Sequence, residues 1–301
     1  MKGLTRGLFV ATAMAVAGLG FAQQGPDFSK VEIRTTRLAD DFYTLEGLGG
    51  TISVLTGPDG VLLVDSQFAA LSDKLVAAIR KVSNQPIRFL VDTHLHGDHT
   101  GGNENFAKLG ALVFGRDQLR ARMEHPNPAP DGTPRKAAAA QALPTVTYDG
   151  PVSIHVNGEN VRLVPLRNAH TDGDTLIRFT NHDILATGDC YRGIGYLYVD
   201  LNNGGSLPGI LEALGAIIGE AGPHTKIIPG HGPITDRSGV IAERDLILTL
   251  RDRISALVAQ GKRLEEVVAA KPTAEFDAQI PQGAQSADEI VKWMYTAIKA
   301  H

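Results

Sequence analysis

Cysteine is all but missing. One residue in 301, Cys190, carries a thiol, so no intrachain disulfide can form and the chain is not a disulfide scaffold. A surplus of one charge is lacking too: 29 Lys and Arg stand against 33 Asp and Glu, a net −4 spread along the whole length. That balance offers no electrostatic footprint for nucleic acid or an anionic membrane. The apolar run near the N-terminus, LFVATAMAVAGLG, is shorter than the roughly 20 residues of a membrane span and is rich in Ala and Gly. No repeat of about 20–50 residues is visible, and no linker divides the chain. What remains is an ordinary globular composition, 43% apolar, which is enough for a buried core. Chemistry on a small molecule is the expectation.

Lys2 and Arg6 flank the N-terminal apolar run, and Gly-Phe-Ala before Gln23 supplies the small residues that a signal peptidase selects. These features predict a signal peptide over residues 1–22 and a single catalytic domain over residues 23–301. The mature protein is then periplasmic or secreted, with no stable membrane association after cleavage.

Strands and helices alternate along the rest. Residues 31–47 and 50–66 read as successive strands, the second pair joined by a Pro-Asp-Gly turn. Leu71, Leu75 and Ile79 recur at helical spacing, and residues 86–93 form a short apolar strand. A helix over 104–110, a strand over 111–115 and a helix over 117–123 follow. Residues 125–143 carry Pro126, Pro128, Pro130 and Pro134, which deny regular hydrogen bonding and predict a mobile surface loop. In the second half, Asn157-Gly158 is a two-residue hairpin signal between VSIHV and VRLVPL, and a turn at Asn181-His182 joins two more strands. A helix is predicted over Val240–Gln260, stopped by Gly261. Another starts at Ser286, where Ser-Ala-Asp-Glu is a capping box. Two β-rich halves, each followed by helices, suggest two packed sheets with helices outside.

The strand over 86–93 runs into THLHGDHTGGN, which sets His94, His96, Asp98 and His99 within six residues. While the chain is extended, alternate side chains point the same way, so His94 and His96 face one point. The turn that follows brings Asp98 and His99 to a neighbouring one. Imidazole nitrogens with a carboxylate suit zinc, and Gly97, Gly101 and Gly102 let the backbone bend. More donors lie just past other apolar strands: His170 in AHTDGDT, Asp189 and Cys190 in TGDC, His231 in PGHGP.

In this order and spacing these motifs resemble the metal-binding motifs of the metallo-β-lactamase-fold superfamily of hydrolases, and Asp65 in VLLVDS matches its first motif. The likeness covers about Val31 to Pro233. It implies an α/β (α+β) fold, a four-layer αβ/βα sandwich, with two zinc ions per chain. The first would be held by His94, His96 and His170, and the second by Asp98, His99 and His231, with Asp189 resembling the bridging carboxylate of glyoxalase II-like and lactonase-like members. Cys190, one position later, then packs beside the site rather than ligating. The implied chemistry is attack on a carbonyl by a hydroxide shared by the two metals. Asp98 would be the catalytic residue that orients the hydroxide and carries its proton, while Asp65 and Thr93 would support the ligands from behind.

Substrate contacts are sparser. Arg192 is positioned to hold a carboxylate, Tyr191 (with Tyr196 and Tyr198) to donate to an oxyanion, and NNGGSLPG to line the pocket. His125, His155, His182, His224 and His301 match no motif. Opening of a cyclic amide or ester is the expected reaction, with β-lactams the concrete substrate. The alternatives are a lactonase or thioesterase, an iron-dependent sulfur dioxygenase, and a metal-binding protein without catalysis. Oligomeric state is left open.

Overall fold

The computed structural model describes residues 26–129, 131–281, 283 and 285–300. The expected signal peptide, residues 1–22, lies outside them. Among the described residues no helix is long and apolar enough to cross a membrane. In chain order the elements are β1 (Arg34–Arg37), β2 (Phe42–Glu46), β3 (Ile52–Leu55), β4 (Val61–Val64), α1 (Ser72–Arg80), β5 (Ile87–Val91), α2 (Gly97–Thr100), α3 (Asn103–Lys108), β6 (Leu112–Arg116), α4 (Asp117–Glu124), β7 (Val146–Tyr148), β8 (Val152–Val156), β9 (Glu159–Leu166), β10 (Asp174–Phe179), β11 (Ile184–Ala186), α5 (Leu207–Glu220), β12 (Lys226–Ile228), α6 (Arg237–Ala259), α7 (Leu264–Ala269) and α8 (Ala287–Lys299).

The strands form two sheets, β1-β2-β3-β4-β5-β6-β7 and β12-β11-β10-β9-β8. Their side chains explain the layering. In β4, Leu62 and Val64 enter the core between the sheets, while Val61 and Leu63 pack on the other face against α1 and α3. Side chains alternate along a strand, so a run apolar at every position is buried on both faces. The second sheet behaves alike: Ile184, Ala186 and Ile228 point inward, and Leu185 and Ile227 join α5, α6 and α8 outside. The result is the four-layer αβ/βα sandwich.

β4, β5, β6 and β7 run parallel, as do β11 and β12. β9 is antiparallel to β10, and β10 to β11, so β9 and β11 end on the same side. The C-terminal ends of β4, β5, β9, β11 and β12 thus share one rim.

Five segments depart from expectation. α5 begins at Leu207, within the segment expected to line the pocket, because the Ser206 side chain caps it through Gly209 N–H and Pro208 sits in its first turn. α6 begins at Arg237, earlier than expected, since Asp236 caps Ser238 and Gly239. The proline-rich segment is tied down at both ends: Ala138 N–H donates to Met123 O, Asn127 Nδ2 donates to Asn202 O while Asn202 Nδ2 donates to Pro128 O, and Ala142 and Leu143 pack on Leu119. β7 and α7 were not anticipated. α8 starts at the Ser286 capping box and buries Trp293, whose indole donates to Leu197 O.

His182, which matches no motif, clamps the two sheets. Its ring bonds Glu159 on β9 at 2.5 Å and Asp41, in the β1–β2 turn of the other sheet, at 2.7 Å. Burial works against the charged ring, but the hydrogen bonds to Glu159 and Asp41 outweigh it and raise its pKa above 6.5. A raised folded-state pKa gives stabilisation that is complete below 6.5 and is lost as pH climbs through the folded value. His182→Asn is therefore expected to lower the urea midpoint most below pH 6.5, with the gap closing at alkaline pH. A gap that widened with rising pH would contradict the clamp.

Candidate metal centre

Each donor sits just beyond a strand end at the common rim. β5 ends at Val91, and the chain, expected to stay extended here, bends through Thr93, His94 and Leu95 before His96 leads into the single turn α2. That change of geometry splits the motif into two pairs. His94 and His96 face His170, which follows β9, with His94 Nε2 and His170 Nε2 at 3.1 and 3.0 Å from His96 Nδ1. On α2, His99 Nε2 lies 3.3 Å from His231 Nε2, beyond β12, and Asp98 Oδ2 lies 3.2 Å from the same His231 atom. Asp189, beyond β11, stands between the groups. Its Oδ1 is 3.3 and 3.4 Å from His99 and His231, and its Oδ2 is 3.9 Å from His170 Nε2.

The outer nitrogens decide which way the lone pairs point. Thr93 Oγ1 donates its hydrogen to Asp65 Oδ2, so it accepts from His94 Nδ1 at 3.0 Å. His96 Nε2 donates to Asp200 Oδ2 at 2.9 Å, and His170 Nδ1 to Tyr198 O at 2.8 Å. His99 Nδ1 donates to Asp65 Oδ2 at 2.7 Å. With each outer nitrogen protonated, the inner nitrogens of a neutral ring carry lone pairs aimed at one another. Asp189 Oδ1 is sealed from solvent with no hydrogen-bond partner among the described residues. Crowded acceptors and an orphaned buried carboxylate oxygen are what a cation would satisfy, so the donor set fits metal. His94, His96 and His170, and likewise Asp98, His99 and His231, each offer ligand atoms within 4.8 Å of one another.

Electrostatics divides the two groups. Burial pushes the His94 pKa well down and that of His170 to about 4, so these rings are neutral at pH 7. His99 goes the other way: burial opposes its charge, but the carboxylates of Asp65 and Asp189 outweigh it and raise the pKa well above 6.5. Burial alone would raise the Asp98 pKa, yet its contacts with His231 and His99 hold it at about 2. The second group is thus an anionic pocket that draws positive charge, whether proton or metal.

Supporting residues hold this geometry rigidly. Asp65 has φ of 66°, a left-handed conformation that an aspartate adopts at a cost on the order of 1 kcal/mol or more. It brings both carboxylate oxygens to Thr93 and His99. Asp174 accepts from Thr171 N–H and Oγ1, pinning the turn that carries His170, and burial raises its pKa to about 8. Gly230 lies so close to Asp189 that a Cβ there would sit 1.9 Å from Oδ1, which explains the glycine before His231.

The sequence profile of the metallo-beta-lactamase superfamily matches residues 45–201, just over half of the chain. The chain belongs to that superfamily. Its members are metal-dependent hydrolases, and the rim donors described above are this chain's candidate metal ligands. Among curated relatives, the beta-lactamase-like protein 2 homolog of Caenorhabditis elegans is 25% identical over 245 residues, 79% of this chain and 74% of that protein. A linear primary-alkylsulfatase of Pseudomonas sp. (strain ATCC 19151) is 31% identical over 70 residues, 23% of this chain and 13% of that much longer protein. Among solved structures, the stereoselective inverting sec-alkylsulfatase Pisa1 from Pseudomonas sp. aligns with a TM-score of 0.69 at 17% identity, over 88% of this chain and 50% of its own. A metallo-beta-lactamase from Pontibacter korlensis aligns with 0.60 at 18%, over 72% and 99%. At such identities the structural likeness is one of fold.

Of the two residues expected at the substrate, Arg192 lies at the cavity over the donors and Tyr191 does not. Arg192 lines the cavity over the donors, but its Nη1 donates to Asp189 Oδ2 at 2.6 Å, so its charge is already engaged in holding that carboxylate. Tyr191, one residue earlier, turns into the core around α5 and α6, and its hydroxyl reaches the start of α6 at Gly239. Tyr196 turns away too, donating to Asp277, whereas Tyr198 lines the cavity. Cys190 is buried in the core beside the rim, and burial pushes its thiol pKa well up. Asp200 escaped sequence reading, since it lies 104 positions from the His96 ring it orients. The Asp-Leu-Asn-Asn run, in which Asp200 also accepts from Asn203 N–H, was its only local signal.

Asp200→Ala removes the acceptor for His96 Nε2. Zinc affinity at the three-histidine group is expected to fall by about 10–100-fold, read by competition with a chromogenic chelator, with the second group little changed. Unaltered affinity at the first group would show that Asp200 does not position His96.

Proposed function

We propose that the chain is an exported dizinc hydrolase that opens a cyclic amide or ester in a small molecule, β-lactams being the concrete substrate. The observation that carries this reading is the pair of donor groups at one rim, three inward histidine nitrogens beside an anionic Asp98–His99–His231 set, with Asp189 between them. His94, His96 and His170, with Asp98, His99 and His231, would hold two zinc ions, whose contribution when bound would be Lewis acidity toward a carbonyl and a lowered pKa for water, toward about 7.

The chain's own residues do the rest. Asp98, partly open to the cavity and ionised at neutral pH, accepts the proton of the attacking water and returns it to the leaving atom. Asp65 and Asp200 keep His99 and His96 in register through this transfer. Arg192 holds Asp189 in orientation through its Nη1.

The walls support a substrate with an anionic group on an apolar body. A cavity of about 420 Å³ lies over the donors, and a neighbouring one of about 520 Å³ shares His96 and Asp98 with it. Phe68, Leu95 and Met123 line the second apolar wall, and Arg135 and Lys136 line its mouth. Neither cation has an ion-pair partner among the described residues. Arg122, by contrast, is engaged by Asp172 at 2.7 Å. Capture of the anion by Arg135 and Lys136 would lay the scissile bond across Asp98 and His96. The same features suit a second reading, hydrolysis of an alkyl sulfate ester, which the likeness to Pisa1 over 88% of the chain favours.

A panel of a chromogenic cephalosporin, a homoserine lactone and a medium-chain alkyl sulfate separates these readings, and inertness toward all would defeat the proposal. On the best substrate Asp98→Ala is expected to lower kcat by about 10²–10⁴-fold, with metal content measured alongside. Arg135→Ala with Lys136→Ala should raise KM about tenfold and leave kcat unchanged, the signature of lost ground-state binding. Full activity in the Asp98 variant would overturn its role.

A further inference from the structure

Residues 26–33, ahead of β1, belong to no strand, and one side chain gathers their backbone. Lys74 on α1 spends its three ammonium hydrogens there, donating to Phe28 O at 3.1 Å, Ser29 O at 2.7 Å and Val31 O at 2.7 Å. Asp27 caps the short turn Phe28–Lys30 by accepting from Ser29 N–H at 3.1 Å. Phe28, Val31 and Ile33 then pack on the apolar cluster between α1 and the first sheet.

That packing reaches the cavity of about 520 Å³ beside His96 and Asp98. Phe68 is the residue that the apolar cluster and the cavity lining share, and Phe28 meets it edge to face, with ring centroids 5.2 Å apart at 60°. Phe28 does not itself line the cavity. Phe68 gets little support from its immediate neighbours in the chain. Gln67, with φ of 53°, turns its side-chain oxygen to Gly49 N–H at 3.4 Å, and Ala69 and Ala70 are exposed. The contact with Phe28 thus selects the ring position that the apolar wall presents, and without it the ring is free to take other staggered rotamers.

We propose that Phe28 and Lys74 are positioning residues for substrate binding: Lys74 fixes the backbone of residues 28–31, Phe28 fixes the Phe68 ring, and that ring sets how long an apolar body the cavity beside Asp98 accepts. The assignment rests on reading this cavity as the substrate's. It concerns the length of the apolar body and not which bond is cleaved.

Calorimetric titration of the zinc-loaded protein with 1-butanesulfonate and 1-octanesulfonate tests this without turnover, because a sulfonate has no ester bond to hydrolyse. A fully buried methylene is worth about fourfold in affinity, so the parent protein is expected to bind octanesulfonate at least about tenfold more tightly than butanesulfonate. Phe28→Ala and, independently, Lys74→Met should shrink that gap to about threefold or less, with butanesulfonate affinity and zinc content unchanged, while Phe28→Tyr, which keeps the ring, should retain it. On a hydrolysed substrate with a long apolar body, Phe28→Ala should raise KM and leave kcat unchanged. A gap that closes in Phe28→Ala upholds the assignment even if the whole hydrolysis panel is inert. A gap missing from the parent protein, or one that persists in Phe28→Ala, would overturn it whatever the enzyme hydrolyses. So would loss of butanesulfonate affinity or of zinc in Phe28→Ala, the mark of a general structural role.

Discussion

Lone pairs that face one another at about 3 Å repel unless something positive lies between them, and the rim of this protein is organised around holding them there. Each ring is gripped from its outer nitrogen: His94 by Thr93, His96 by Asp200, His170 by a backbone carbonyl, His99 by Asp65. Those outer bonds fix the tautomer and leave the inner nitrogens of the neutral rings as acceptors for a cation. The strain at Asp65 and the glycine against Asp189 serve the same end, since both let backbone approach the centre more closely than ordinary residues permit.

The two sheets make this possible. β5 delivers His94, His96, Asp98 and His99 from one sheet, and β9, β11 and β12 deliver His170, Asp189 and His231 from the other. Because the interior strands are apolar on both faces, each sheet is pressed between a helical layer and its partner, and a slip of one residue would expose an entire face. Register is thereby set firmly by packing, and the rim inherits that precision. Thr175 N–H bonds Thr93 O directly across the sandwich, next to the first histidine.

Much of this was readable in the chain itself. Histidines and aspartates just past apolar strands, each flanked by glycine, pointed to one sheet margin, and residues 50–66 read as a pair of strands joined by a Pro-Asp-Gly turn. What escaped notice depended on direction or distance. A glycine and a proline at the start of α5 imitate a loop, although Ser206 was a sound cap. Arg192 sits at the spacing of a substrate contact, but which of two nearby carboxylates, a substrate's or Asp189's, it would meet is a matter of side-chain path. Tyr191 differs by one position and leaves the rim altogether. The Asp200–His96 bond and the His182–Asp41 clamp join residues 104 and 141 positions apart, where local pattern carries no information.

The donors come from four separated stretches between residues 94 and 231. Ions gripping all of them would close several long loops at once, and in the denatured chain such closure removes far more freedom than it does in the native one. A polypeptide with a single thiol would thus possess reversible staples, indifferent to oxidants and reductants, tightening as RT ln(1 + [M]/Kd) with free metal. Thermal endurance and catalytic competence would be governed by one environmental variable, the local supply of divalent cation.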